Sequence, residues 1–430
     1  MKSVSLRDER GKVYHGWKIL IVGIIIVIFG YSCIITMSSL YVLPVTQDLG
    51  ISVGDFSLYI TIFSIVAIIS LLILTKWMNK KYIKKIMIIA AICGGISFIG
   101  FAVAKSVIYF YVFAVPMGFC FGCLTLAPLT ILVSNWFGSR VKGLIMGIMF
   151  STITTMIMIN VINQFILHFG WRATFLFIAI MLFVLCLPLT IIFIKWSPEE
   201  LGIKRMGDTE EDLKAKEGTT GYAGIDFKTG LKRPITWLLF ISGSLLVICS
   251  SSLLVHSVTF LSLHGYSAAI AGTVYSFMIG GITLGNIVIG PIADRVSVSL
   301  ASWITVLGFV ITFVSGIFID QAHWLIVPYV LGYSFGAAGV SVTPPLIAKQ
   351  MYGEKELPQY ISYINVFISV GAAFGGAITG KMFDAFGSYT PAWIVLIISI
   401  LICGVIRSIC CTKKYRFVPN TDNSSAASNE

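Results

Sequence analysis

Twelve long apolar runs occupy most of the 430 residues, and the central part of each lacks Asp, Glu, Lys and Arg. A helix of about 20 residues rising roughly 1.5 Å per residue crosses a hydrocarbon core of about 30 Å, so each run predicts a membrane-spanning helix. Lipid offers backbone groups no partners, which leaves the helix as the form for runs of this length. The expected spans, numbered 1 to 12 in chain order, are 18–44, 55–75, 86–104, 107–133, 143–167, 173–195, 235–261, 268–290, 299–319, 324–348, 358–380 and 390–406. A hydrophobic fraction of 57% and a mean hydropathy of +0.93 leave little mass outside the bilayer, which excludes a large extramembrane catalytic domain.

The net charge of +11 resembles a nucleic-acid signal until its distribution is followed along the chain. With the N-terminus inside, 27 of the 30 Lys and Arg fall on one face, and only Lys105, Arg172 and Lys381 reach the other. The positive-inside rule therefore predicts both termini in the cytoplasm, and the basic excess reports topology, with no nucleic-acid partner. Residues 18–44 are too long for the core of a signal peptide and no small-residue cleavage site follows, so the first span is expected to be an uncleaved anchor. The nine Cys are scattered mainly through the spans, as buried small hydrophobes are. Cys120 and Cys123 read as structural, and Cys410 and Cys411, after the last span, are candidates for lipid attachment.

The halves repeat each other at an offset near 215 residues. Gly118-Phe119-Cys120-Phe121-Gly122 returns as Gly332-Tyr333-Ser334-Phe335-Gly336, and Phe137-Gly138 as Tyr352-Gly353. Phe169-Gly170-Trp171 matches Phe386-Gly387-Ser388-Tyr389, and Leu49-Gly50-Ile51-Ser52 matches His264-Gly265-Tyr266-Ser267. A shared offset among separate matches predicts two tandem six-helix bundles, 1–196 and 234–411, related about an axis along the membrane normal. Residues 197–233, rich in acids, Gly, Ser and Thr, read as a cytoplasmic linker, and 412–430 as a disordered cytoplasmic tail.

Gly290-Pro291-Ile292-Ala293-Asp294-Arg295 at the end of span 8 is the sharpest motif. It resembles the G-x-x-x-D-R loop of the major facilitator superfamily, which follows the second and eighth helices there. The resemblance implies a cytoplasmic latch in which Gly290, Asp294 and Arg295 take part, the acid sitting near a helix N-terminus across its bundle. The first-half copy departs from the family: in Thr75-Lys76-Trp77-Met78-Asn79-Lys80-Lys81, Asn79 holds the acid's position and the glycine is missing. An amide keeps some capping capacity, so a lopsided latch is expected.

A narrower resemblance, over almost the whole chain, is to the oxalate/formate antiporter and monocarboxylate transporter branch. It is carried by Phe29-Gly30-Tyr31, Leu43-Pro44, Asn135-Trp136-Phe137-Gly138, Phe169-Gly170-Trp171-Arg172, His256 before Leu261 and Gly265, and Gly380-Lys381-Met382-Phe383-Asp384. The branch implies small carboxylates as substrates, held by a basic residue within the eighth or eleventh helix. Neither helix has one here: span 8 offers Tyr275, Ser276, Thr283 and Asn286, and span 11 offers Ser362, Tyr363, Asn365 and Ser369. A bare carboxylate at low dielectric is costly without a partner, which disfavours a dianion and leaves a monoanion paired with protonated His256, or an uncharged solute.

His256 is the one ordinarily titratable side chain placed well inside a span, paired by offset with Tyr41. Two readings stand: a proton-following switch, or a neutral ring bonded to a neighbouring Ser or carbonyl. In the resembled family the first, fourth, seventh and tenth helices surround the cavity, which adds Tyr31, Thr36, Ser38, Thr125, Ser251, Ser252, Tyr329, Tyr333 and Ser334 as candidate lining. On span 5, Asn160 is spaced to share one helix face with Asn163 or with Gln164. Gly143 with Gly147, Gly281 with Gly285, Gly371 with Gly375, and Gly376 with Gly380 predict close helix contact along the seam between the halves.

The expectation is an all-α, twelve-helix secondary transporter of the plasma membrane, monomeric and without cofactor or metal, moving a small organic solute by alternating access. A monocarboxylate or other weak acid is favoured, with protons or a counter-transported anion as coupling partners. The alternatives are efflux of apolar or weakly polar compounds, and a transporter-like sensor signalling through 197–233 or the tail. An enzyme is excluded because no activated nucleophile, metal cluster or carboxylate pair can be assembled.

Overall fold

The structure, a computed structural model, describes residues 11, 13–74, 77–207, 224–353 and 355–417. Thr75 and Lys76 of the first-half motif, the middle of the linker and most of the tail lie outside the described residues. The described chain is helical apart from short connections and two isolated bridges. Eleven helical stretches are long and apolar enough to cross a membrane, one of them the 54-residue run Arg140–Phe193. Straight, that run would extend about 80 Å, more than twice a hydrocarbon core. It is not straight. Gly170 inside Thr152–Met181 has φ 78° and ψ 168°, outside helical geometry, and the Phe165 and Phe177 ring centroids lie 4.9 Å apart. Twelve residues of continuous helix would separate them by about 18 Å, so the chain doubles back at Gly170. A left-handed φ at this reversal is what glycine tolerates and a side chain resists.

Span 1 is longer than expected and irregular: helix His15–Ile26 leads into a π-helical stretch, Val27–Thr36, and then into Ser38–Leu49. The Met37 N–H donates to Ser32 C=O at 2.8 Å, a bond five residues back that widens the helix. Span 4 is divided at Thr125 into Val107–Leu124 and Leu126–Trp136. Pro128, four residues after Leu124, has no N–H to donate to that carbonyl. Spans 2 and 3 are Val53–Leu74 and Ile83–Ala102. Spans 7 to 12 are Pro234–Leu263, Ala268–Arg295, Val298–Ile317, Ile326–Tyr352, Leu357–Phe386 and Thr390–Cys410.

Packing within the first half joins span 4 to spans 2 and 3, and within the second it joins span 10 to 8 and 9 and span 7 to 11 and 12. The most extensive contacts between halves join span 2 with 11, Thr152–Met181 with span 8, and Ser38–Leu49 with span 7. The seam uses other glycines than expected. Gly143 and Gly147 face open space, Gly281 and Gly285 face span 10, and Gly371, Gly375 and Gly376 face span 7 of their own half. Only Gly380 of that set meets the other half, where an added Cβ would lie 2.9 Å from Gly54 Cα. Gly272 and Gly280, which face Asn163 and Met156, make the other close approaches. Residue spacing identified small faces but not which neighbour each face would meet.

Span 12 also corrects the expectation of an uncharged interior. The helix runs on past 406 to Cys410, and Arg407 is fully buried in it. Its Nη1 donates to Thr343 Oγ1 at 2.6 Å, while Nε and Nη2 have no partner. Long hydrocarbon stems let Arg sit inside a helix end that a hydropathy window closes early.

Both described ends of the linker are strapped to the adjoining half. Arg205 Nη2 donates to the Ser134 and Phe137 carbonyls at 2.6 and 2.8 Å. Lys355 pairs with Asp226 at 2.8 Å, and this carboxylate holds the ammonium above its ordinary pKa.

Candidate functional site

A cavity of about 370 Å³ lies between the halves. Span 1 contributes Tyr31 and Ile35 from its π-helical stretch, span 2 contributes Ile60, Ser64, Ala67, Ile68 and Leu71, and span 4 contributes residues 121–122 and 125–127 around its break. The second half adds Val247, Ser250, Ser251, Leu254 and Val255 of span 7, Val340 of span 10, and Ile368, Ser369 and Ala372 of span 11. No Asp, Glu, Lys, Arg or His is among them.

The hydroxyls of this wall divide by role. Thr125 donates to Phe121 C=O at 2.5 Å, Ser251 to Ile248 C=O at 3.3 Å and Ser369 to Asn365 C=O at 2.8 Å, so each presents oxygen lone pairs to the cavity. Tyr31 stacks on Phe121 with centroids 5.5 Å apart. Tyr333 is fully buried beside Tyr31 and Ser250, its hydroxyl within reach of the Ser250 side chain but without a well-formed hydrogen bond. The wall thus combines an aromatic and aliphatic surface with a few neutral donors and acceptors.

The remaining sequence candidates fall elsewhere. His256 follows the cavity-lining Val255 but points the other way, fully buried against spans 11 and 12. Its Nε2 lies 2.7 Å from Gly376 C=O and its Nδ1 3.2 Å from Tyr389 Oη. A carbonyl only accepts, so Nε2 carries a hydrogen, and the phenol, which both donates and accepts, occupies Nδ1, leaving both nitrogens engaged. Tyr41 packs on Phe175 at 4.8 Å, its hydroxyl buried without a partner. Tyr275 donates to Thr36 C=O and, at 3.0 Å, to Leu254 C=O. Asn160 donates to Ser276 Oγ at 2.8 Å and Asn163 to Ala268 C=O at 3.2 Å, both across the seam. Tyr363 and Asn365 are exposed toward the terminus-bearing end of span 11.

Sequence reasoning missed the far end of the seam. There Asp384 accepts from the Gly54 N–H at 2.9 Å, Lys381 pairs with Asp55 at 2.5 Å, and Thr61 donates to Ala373 C=O at 2.6 Å. Ser39 Oγ accepts from Val258 N–H at 2.9 Å, again across the seam. The signal was present: Lys381 is one of only three basic residues assigned to that face, and Asp55 and Asp384 flank the same turns. Among the described residues, side-chain hydrogen bonds between halves run from the cavity to this end and none lies at the other. Asp294 and Arg295, in the last turn of span 8 rather than a loop, are exposed and make no ion pair among the described residues. Asn79 Oδ1 accepts from Lys81 N–H at 3.0 Å and caps its own turn.

Helices long and apolar enough to cross a membrane, a cavity between two halves and a seam bonded on one side fit a multi-pass membrane transporter. A family model described as Major Facilitator Superfamily matches residues 20–349, and the chain belongs to that superfamily. A search of curated proteins gave no match. Among solved structures, the fold is similar to a bacterial homolog of the human lysosomal transporter Spinster in an inward-facing, occupied conformation, with TM-score 0.67 and 13% identity over 94% of this chain and 99% of that one. It is also similar to the nucleoside transporter NupG, with TM-score 0.69 and 13% identity over 92% and 98% of the two chains. A single-site variant of the peptide transporter POT matches with TM-score 0.67 and 12% identity over 94% and 96%. Identities this low speak for the fold alone.

Proposed function

We propose that this chain is a secondary carrier that moves an uncharged, weakly polar organic solute by alternating access. Twelve crossings, counting the two legs that meet at Gly170, with both termini on the basic face, and bundles at 1–196 and 234–411 are part of this reading. The bonded far end and the unbonded terminus-bearing end support a conformation open to the cytoplasm. The observation that carries the solute class is the cavity wall, which holds no ionisable side chain other than a tyrosine hydroxyl. A charged solute entering it would lose water without gaining a counter-charge, and His256 is turned away with both nitrogens occupied. A weak organic acid fits this wall in its protonated form, which keeps the branch's substrate chemistry while dispensing with the branch's fixed cation.

The test is counterflow in proteoliposomes with size-matched sets: an alcohol or amide, the corresponding carboxylate at a pH where it is ionised, and the corresponding ammonium. Exchange of the neutral members alone is expected. Saturable exchange of the ionised carboxylate, with the neutral members ignored, would overturn the solute class while leaving the carrier reading intact.

A further inference from the structure

The turn between spans 2 and 3, where the acidic motif is lost, is a concentration of unneutralised positive charge. Lys80, Lys81, Lys84 and Lys85 stand in a stretch of six residues that contains no acid. None of them forms an ion pair among the described residues. Lys84 and Lys85 lie in the first turn of Ile83–Ala102, a turn without an acidic residue and with no side-chain cap from Tyr82. Cations at the positive pole of a helix are unfavourable, and the uncapped N–H groups of that pole need an acceptor. Asn79 supplies only part of what is needed: its C=O accepts from the Tyr82 and Ile83 N–H groups at 3.1 and 3.0 Å and its Oδ1 from Lys81 N–H, which leaves the Lys84 and Lys85 N–H groups of the first turn open. Beside the lysines, Trp77 is 53% exposed and packs on the Tyr82 ring at 5.5 Å, with Lys81 Nζ 5.1 Å from the same ring.

The position identifies the missing anion. Residues 77–82 connect the ends of two membrane-spanning helices, which sets them at headgroup depth, where Trp and Tyr rings anchor and where clustered lysines attract anionic lipid. The corresponding turn of the second half holds Asp294 and Arg295, whose charges cancel, so the feature belongs to the first half. We propose that residues 77–85 form a binding site for anionic phospholipid headgroups, with a phosphate at the uncapped first turn, Lys80, Lys81, Lys84 and Lys85 around it, and Trp77 lodged in the interface. The site rests on the chain crossing a bilayer and is independent of the solute.

The experiment equilibrates full-length protein with vesicles of phosphatidylglycerol and phosphatidylcholine and counts retained lipids by native mass spectrometry. Wild type is expected to prefer the anionic lipid by about tenfold, and K80Q/K81Q/K84Q/K85Q to lose that preference. A control, K228Q/K232Q, removes two lysines elsewhere and is expected to keep it. If the quadruple variant does not fold, K80Q/K81Q with Trp77→Ala, all outside the helix, is expected to lower the preference several-fold. Unchanged retention in the lysine variants would overturn the site. Protection against heating by inorganic phosphate equal to that by phosphatidylglycerol would likewise overturn it, assigning the cluster to a free anion.

Discussion

Tyr333 places a buried hydroxyl without a well-formed hydrogen bond next to Ser250 of the cavity wall, in a protein interior where buried polar atoms are nearly always bonded. A solute donor or acceptor reaching it would gain a hydrogen bond worth about 0.5–1.5 kcal/mol. Tyr333→Phe is therefore expected to weaken solute binding roughly two- to twelvefold, while leaving the melting temperature unchanged or slightly higher. Binding by calorimetry together with a thermal melt checks both halves of that statement; a lowered melt with unaltered affinity would assign the hydroxyl to structure. Tyr31 stood out in the sequence against Ile and Val and lines the cavity, whereas Tyr333 stands behind the wall, next to Ser250. His256 was legible only as a residue that must have a partner, since its partners Gly376 and Tyr389 are more than a hundred residues away. Arg407 escaped notice because charge at a helix end reads as solvated until packing shows otherwise.

In the proposed alternating-access reading, the far-end contact between spans 2 and 11 is the element whose release accompanies outward opening. It contains a half-exposed ion pair, Lys381 with Asp55, and a carboxylate cap, Asp384 on Gly54 N–H. An exposed pair contributes at most about 1 kcal/mol, and a carboxylate at a helix N-terminus adds a similar amount. Lys381→Met combined with Asp384→Ala is expected to shift the inward-to-outward population ratio about five- to thirtyfold toward outward. Spin labels at Val103→Cys and Leu263→Cys, both exposed near that end, would report the change as growth of a longer distance. An unaltered distance distribution would remove the latch from the gating account. The spans themselves were readable from hydropathy, with ends off by as much as the interval from 380 to Phe386 in span 11, but their irregularities were not. The π-helical stretch of span 1 and the break at Thr125 depend on neighbours that a single run of apolar residues does not specify, apart from the hint of Pro128. Seam partners were equally hidden, because a glycine face is the same signal whether it meets its own half or the other.

At the scale of the whole molecule, the repeat and a cavity wall without Asp, Glu, Lys, Arg or His support the proposed reading of a carrier with two halves around a neutral cavity. The overall class was legible because twelve apolar runs and a positive-inside bias are physical constraints of the bilayer itself. Solute chemistry was not, since it depends on which polar side chains face one another across the seam: Ser64 and Ser250 line the cavity, while Tyr363 and Asn365 do not. The most direct measurement is uptake of a weak monocarboxylic acid into proteoliposomes at fixed total concentration, followed across a pH range above the acid's own pKa. The neutral fraction falls about tenfold per pH unit there, and carrier-mediated flux is expected to fall with it, in wild type and in His256→Gln alike. Flux that instead stays constant with total carboxylate as the neutral form disappears would show that the cavity carries the anion, contradicting the account.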